Sequence, residues 1–181
     1  MVTVTVLPAR PFTRADLDAM PDDGHRYELI DGVLVVTPSP TYQHQVVLRG
    51  LFVRLNASCP PELDVLFAPF DVALTDDTVV QPDLLVARRD DFTSRDLPVA
   101  PLLAVEILSP STRRFDLLTK RSRYEEAGTA SYWVVDPDDL TLTAWDLVDG
   151  AYVEVAHVTG EDEWTAALPF PVTVSPAGLR G

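Results

Sequence analysis

Lysine is nearly absent from this sequence. Of its 14 basic residues only Lys120 is a lysine; they face 28 acidic residues, and the net charge is −14. A broad basic face that coats nucleic acid is thereby excluded, because nonspecific affinity comes mainly from neutralising phosphates. Any partner carrying phosphate must be met by a local patch. Cysteine is limited to Cys59, which excludes an internal disulfide framework and a Cys-based zinc site. Three histidines, His25, His44 and His157, lack the spacing of a zinc ligand set. No apolar run reaches the roughly 18 residues of a membrane span. The opening "MVTVTVLPARPF" has neither a basic n-region nor a sufficient apolar h-region. The expectation is a cytoplasmic protein without a membrane partner. The acid-rich "DPDDLTLTAWD" lacks the glycine and closing glutamate of a calcium loop and reads as a turn.

What is present suits one domain, 1–181. The chain is 46% hydrophobic, without repeats or a low-complexity linker, and long enough to enclose a cleft. "TRADLDAMP" predicts a short helix capped by Thr13. Asp31-Gly32 and Asp149-Gly150, each between apolar runs, predict hairpins near the two ends. Val47, Leu48, Leu51, Phe52 and Leu55 recur at helical spacing, with Ser39 as cap, Pro40 at the first helical position, and an end before Cys59. "DVLFAPFDVAL", "VVQPDLLVA" and "PLLAVEIL" read as three strands, the last two buried on both faces. "STRRFDLLTKRSRYEEAG" reads as a helix from Ser111 or Thr112 to Gly128, and "ASYWVVDP" as a further buried strand. The fold class is α/β, a mixed central sheet flanked by helices.

Two acids interrupt apolar strands. A buried carboxylate is costly unless paired, hydrogen-bonded or bound to a cation, and one divalent cation satisfies both Asp83 and Glu106. Oxygen ligands with few protein donors suit Mg²⁺, with Mn²⁺ as substitute. The plainer alternative puts Asp83 at a strand edge after Pro82 and Glu106 against an arginine. Asp116, Lys120 and Tyr124, spaced i, i+4 and i+8, share a helix face. That face is either a surface stripe or the place where a titratable amine, which arginine cannot replace, meets the acids. Arg113, Arg114, Arg121 and Arg123 around it form either the local phosphate-contacting patch or a solvated face. Glu28 is a further carboxylate for the site, or a partner of Arg26, or a surface residue. His44, in phase with Leu48 and Leu51, is a core-edge histidine or a site contact.

Six stretches in order carry a resemblance: "YELIDG", the histidine of the next helix, "QPDLLV", "VEILSPST", the D…K…Y…AG spacing and "YWVVDP", spanning roughly Phe12 to Trp145. Together they resemble the Uma2-like family of the PD-(D/E)XK nuclease superfamily. The resemblance implies a restriction-endonuclease-like core and a metal-dependent endonuclease acting on nucleic acid, DNA above all, leaving 5′-phosphate ends. It further implies Asp83 and Glu106 as catalytic acids, holding Mg²⁺ with the carbonyl near Ile107. Leu108 stands where the superfamily has its strand lysine, which implies that Lys120 on the helix fills that role. A nuclease-like module that grips nucleic acid or a protein without cutting is the alternative, and a homodimer is a further expectation.

Overall fold

A computed structural model describes residues 10–21, 23–109 and 116–180, with the side chains of residues 116 and 117 outside that set. The elements run α1 (Arg14–Asp18), β1 (Arg26–Ile30), β2 (Val33–Thr37), α2 (Tyr42–Ser58), β3 (Leu63–Phe67), β4 (Asp71–Thr75), β5 (Thr78–Val80), β6 (Leu84–Arg88), β7 (Asp96–Leu97) and β8 (Leu103–Ile107). A π-helical turn (Asp116–Lys120) then leads into α3 (Arg121–Ala127), followed by β9 (Ser131–Asp136), β10 (Thr141–Val148), β11 (Ala151–Thr159), β12 (Trp164–Ala166) and β13 (Val172–Val174).

Both Asp-Gly hairpins form where their turn chemistry predicts. Asp31 and Gly32 have φ of 53° and 71°, Asp149 and Gly150 of 51° and 83°, and two consecutive positive φ values give the turn whose twist matches paired strands. The start of α2 differs from expectation. Thr41, not Ser39, is the cap, its Oγ1 accepting the His44 amide at 3.2 Å. The bond to the third helical amide decides between two capable hydroxyls. Pro38-Ser39-Pro40 is thereby left outside the helix, as part of a cavity wall.

The larger correction concerns the central strands. "DVLFAPFDVAL" is two strands, β3 and β4, parted at Ala68-Pro69, and "VVQPDLLVA" is also two, β5 and β6, parted at Gln81-Pro82-Asp83. Proline has no N–H to give a ladder, so each breaks its strand. At both breaks the chain changes sheet. β4 and β5 belong to a five-stranded sheet in the order β2-β1-β5-β4-β7, and β3 and β6 to a six-stranded sheet ordered β11-β10-β9-β8-β6-β3. The Ala68 amide donates to the Asp83 carbonyl at 3.1 Å, tying the two crossings together. Asp83 thus stands at a crossing just ahead of β6, not within a strand.

In the six-stranded sheet β8 and β9 are parallel, linked through the segment that ends in the π-turn and α3, and the other neighbours are antiparallel. Val65, Val86, Leu103, Val105 and Trp133 pack on one face with Val47, Leu51 and Leu55 of α2. Leu85, Ala104, Tyr132 and Val134 pack with Ile30, Val72, Val80 and Tyr124 in a second cluster. Alternation along β8 puts Glu106 in phase with Ala104, toward the seam between the sheets. The β12–β13 hairpin and a final 3₁₀ turn, Ala177–Arg180, close the α2 side and were not anticipated from sequence. Among the described residues no helix is long and apolar enough to cross a membrane.

Gly50 sets how closely that final turn approaches α2. A Cβ there would lie 2.2 Å from the carbonyl oxygen of Leu179. Exchanging an interior helical glycine for alanine ordinarily stabilises by about 0.8–1 kcal/mol. Here Gly50→Ala should instead destabilise by about 1–3 kcal/mol through overpacking, read as a lower urea midpoint at unchanged m-value.

Candidate active site

Lys120 is 3% exposed and stands between two buried carboxylates. Its Nζ lies 2.9 Å from Glu28 Oε1 and 3.1 Å from Glu106 Oε1. Glu28 arrives from β1, where alternation turns it inward with Ile30, and Glu106 from β8 of the other sheet. The lysine therefore joins the two sheets. Tyr124, one helical turn on, donates its hydroxyl to the same Glu106 oxygen at 3.4 Å. Burial and then the Glu106 charge raise the Tyr124 pKa well above its ordinary value, so the hydroxyl stays a donor. Glu28 is further held by the Gln81 amide at 2.7 Å on Oε1 and the Thr37 hydroxyl at 3.0 Å on Oε2. Burial alone would raise the Glu28 pKa, but Lys120, Arg26 and the Gln81 amide outweigh it and lower it. Both Glu28 oxygens are committed, so the residue anchors Lys120.

Asp83 is the second centre. Its Oδ2 accepts the Ile107 amide at 2.8 Å and lies 3.0 Å from His44 Nε2, while Oδ1 takes Arg26 Nη1 at 3.3 Å. Strand register explains the reach: Leu84 pairs with Val105, and one residue on sets Asp83 opposite Glu106. Burial pushes the Asp83 carboxyl up, and His44, Arg26 and the Ile107 amide pull it down further, to about 2. Arg26 also donates through Nη2 to the Gln81 carbonyl.

A cavity of about 440 Å³ is lined by these groups, among them Arg26, Glu28, His44, Asp83, Glu106, Ile107 and Lys120. Asp83, Glu106, Lys120, Glu28, His44 and Tyr124, singled out from sequence, are thus gathered in one place. Two of the predicted phosphate contacts are not. Arg121 lies over the Trp145 ring at 5.1 Å, and Arg123 pairs with Asp31 at 3.1 Å and with Glu126. Neither lines the cavity. An arginine helix flank in sequence became two local anchors because α3 turns those positions toward the hairpin strands and the β1–β2 turn. Arg113 and Arg114 lie outside the described residues, as does the Asp116 side chain. Leu108 packs with Tyr124, Tyr132 and Val134 and does not line the cavity. Arg26, Thr37 and Gln81 were not assigned to the site from sequence. Arg26 was visible only as a partner of Glu28, and the Gln81 contribution is a main-chain one that no side-chain motif reveals.

The donors facing the cavity from Asp83 and Glu106 are carboxylate oxygens, and the main chain of Ile107 lies beside them. Among the described residues no three His, Cys, Asp or Glu side chains gather to cage a metal. Two carboxylates, with water in the other positions, fit Mg²⁺, which keeps much of its hydration, better than a cation needing an all-protein shell.

Two stability measurements follow. Lys120→Met should cost about 3–5 kcal/mol by leaving buried acids uncompensated, and adding Glu28→Gln should recover part of it. For Asp83 the folded pKa of about 2 lies below the unfolded value of about 3.9, so its contribution is fully present above about pH 5. It fades as pH falls through 4 toward 2. It should be on the order of 2 kcal/mol, seen as a difference between wild type and Asp83→Asn in urea midpoints that shrinks over that range.

The comparisons with known proteins agree with this architecture. No curated protein matches the chain. A crystal structure of a "putative nuclease belonging to DUF820" from Anabaena variabilis superposes with a TM-score of 0.74 at 19% identity, covering 94% of this chain and 98% of that one. At that identity the likeness shows a shared fold, which is the mixed α/β fold expected from sequence. The family model for Uma2, described as "Putative restriction endonuclease", matches residues 14–178. With that match covering most of its length, the chain belongs to the Uma2 family.

Proposed function

We propose that the protein is a metal-dependent endonuclease that hydrolyses phosphodiester bonds of nucleic acid, with DNA as substrate and Mg²⁺, replaceable by Mn²⁺, as cofactor. The observation that carries this reading is Lys120 Nζ at 3.1 Å from Glu106, beside an Asp83 set opposite Glu106 in one cavity. It is supported by membership of a family described as "Putative restriction endonuclease" and by a fold shared with a protein titled a "putative nuclease".

Asp83 and Glu106, with the main-chain carbonyl of Ile107, would hold the cation. When bound, such a cation polarises a nonbridging phosphate oxygen and makes its water a better nucleophile at neutral pH. The chain's own groups do the rest. His44 and the Ile107 amide fix Asp83 Oδ2, so that the carboxylate presents Oδ1 to the cavity. Glu28 and Glu106 hold the Lys120 ammonium in place, where it orients the attacking water and stabilises negative charge developing on the phosphate. Tyr124 steadies Glu106. The 3′ oxygen leaves, giving a 5′-phosphate. Arg113 and Arg114, close to Lys120 in sequence, are the candidates for contact with flanking phosphates in an otherwise acidic chain, and binding is correspondingly sensitive to salt.

Cleavage of end-labelled duplex and single-stranded DNA should require Mg²⁺ or Mn²⁺ and stop on chelation. Asp83→Asn and Glu106→Gln should fall to background, and Lys120→Ala should lose about 10²–10³ in rate. Full activity in Lys120→Ala would remove the lysine from the chemistry. A wild-type chain that binds the oligonucleotide with metal present and never cuts it would instead favour a binding module.

A further inference from the structure

The two oxygens of Asp83 are held very differently. Oδ2 takes two firm contacts, at 2.8 Å from the Ile107 amide and 3.0 Å from His44, which is 7% exposed on α2. Among the described residues Oδ1 takes only Arg26, at 3.3 Å, longer than the roughly 2.7–2.9 Å of a strong charge-assisted bond. The guanidinium does not grip either acid with the paired bonds its fork permits. Nη2 lies 3.9 Å from Glu28 Oε1, beyond hydrogen-bond reach, while it donates to the Gln81 carbonyl, and the buried Nε has no hydrogen-bond partner among the described residues. Arg26 lines the cavity, and its side chain keeps 21% exposure.

A Mg²⁺ ion bound to a carboxylate sits about 2.0–2.1 Å from its oxygen. Placed on Oδ1 it would share that oxygen with a guanidinium of the same charge sign, and the repulsion at such separations is strong inside a cavity. We infer that Arg26 is an exchangeable counter-ion: it occupies the cation's side of Asp83 in the free protein, competes with the cation for Oδ1, and is freed into the cavity when the cation binds. This rests on the metal-dependent reading above and makes Arg26 a positioning residue that sets cation affinity. It does not orient Asp83, whose direction is fixed through Oδ2.

The test is Mn²⁺ binding to the whole chain without nucleic acid, by calorimetric titration of wild type, Arg26→Gln and Asp83→Asn. Arg26→Gln should bind Mn²⁺ about tenfold or more tightly than wild type, and Asp83→Asn should not bind it. Adding millimolar guanidinium to Arg26→Gln, against sodium at equal ionic strength, should weaken Mn²⁺ binding back toward wild type. In wild type, which needs no variant to fold, saturating Mn²⁺ should speed modification of Arg26 by an arginine-directed dicarbonyl, mapped by mass spectrometry. Wild type that binds Mn²⁺ while Arg26→Gln binds equally or more weakly, or while Arg26 reactivity stays unchanged or falls, overturns the inference and leaves the metal reading standing. Absence of Mn²⁺ binding in both wild type and Arg26→Gln overturns both.

Discussion

A lysine ammonium buried between two carboxylates from different sheets is the constraint on which the site depends. Removing three charges from water is costly, and their attraction offsets that cost only when the geometry is good and the remaining lone pairs are satisfied. Here Thr37, Tyr124 and the Gln81 amide supply such bonds. The same bonds that make the arrangement tolerable also fix it, so the amine has little freedom beside the cavity. That is the condition under which a fixed charge stabilises a developing one without reorganising.

The lysine's place also explains how Leu108 can stand where the superfamily pattern has a strand lysine. Leu108 is enclosed by Tyr124, Tyr132 and Val134, so the strand position has become core. The ammonium arrives from the π-turn instead, and turns of that kind, with i to i+5 bonding, are rare overall yet frequent at functional sites. Under the proposed function, packing and charge exchange positions around Glu106, and the acid keeps a lysine partner.

Much of this was legible in the sequence, for identifiable reasons. The hairpins were marked by Asp-Gly pairs, and the acids stood out because apolar strands rarely carry them unaccompanied. The lysine stood out by its rarity. What escaped notice depends on long-range placement. A proline inside an apolar run marks a change of sheet here, so Asp83 stands at the strand edge after Pro82, as the plainer alternative has it, and not within a strand. Thr41 and Ser39 are equivalent caps until the helix amide chooses one. Arg121 and Arg123 share their helix with Lys120, yet Trp145 and Asp31 claim them, which only the fold reveals. The Gln81 amide and carbonyl serve Glu28 and Arg26 through the main chain, where residue type says nothing.

The two crossings at Ala68-Pro69 and Gln81-Pro82-Asp83 have a consequence for the order in which the site comes into being. Because the chain changes sheet there, Glu28 sits on one sheet, Glu106 on the other, and Lys120 on the helix leading to β9, which completes the parallel pair with β8. The contacts 28 to 120 and 44 to 83 close long loops, whose closure entropy opposes them until the intervening chain is in place. A nascent chain emerging from the ribosome holds no assembled constellation until residues beyond β9 have left the tunnel. Chains made only as far as β8 carry Glu28, Asp83 and Glu106 without the lysine that joins two of them.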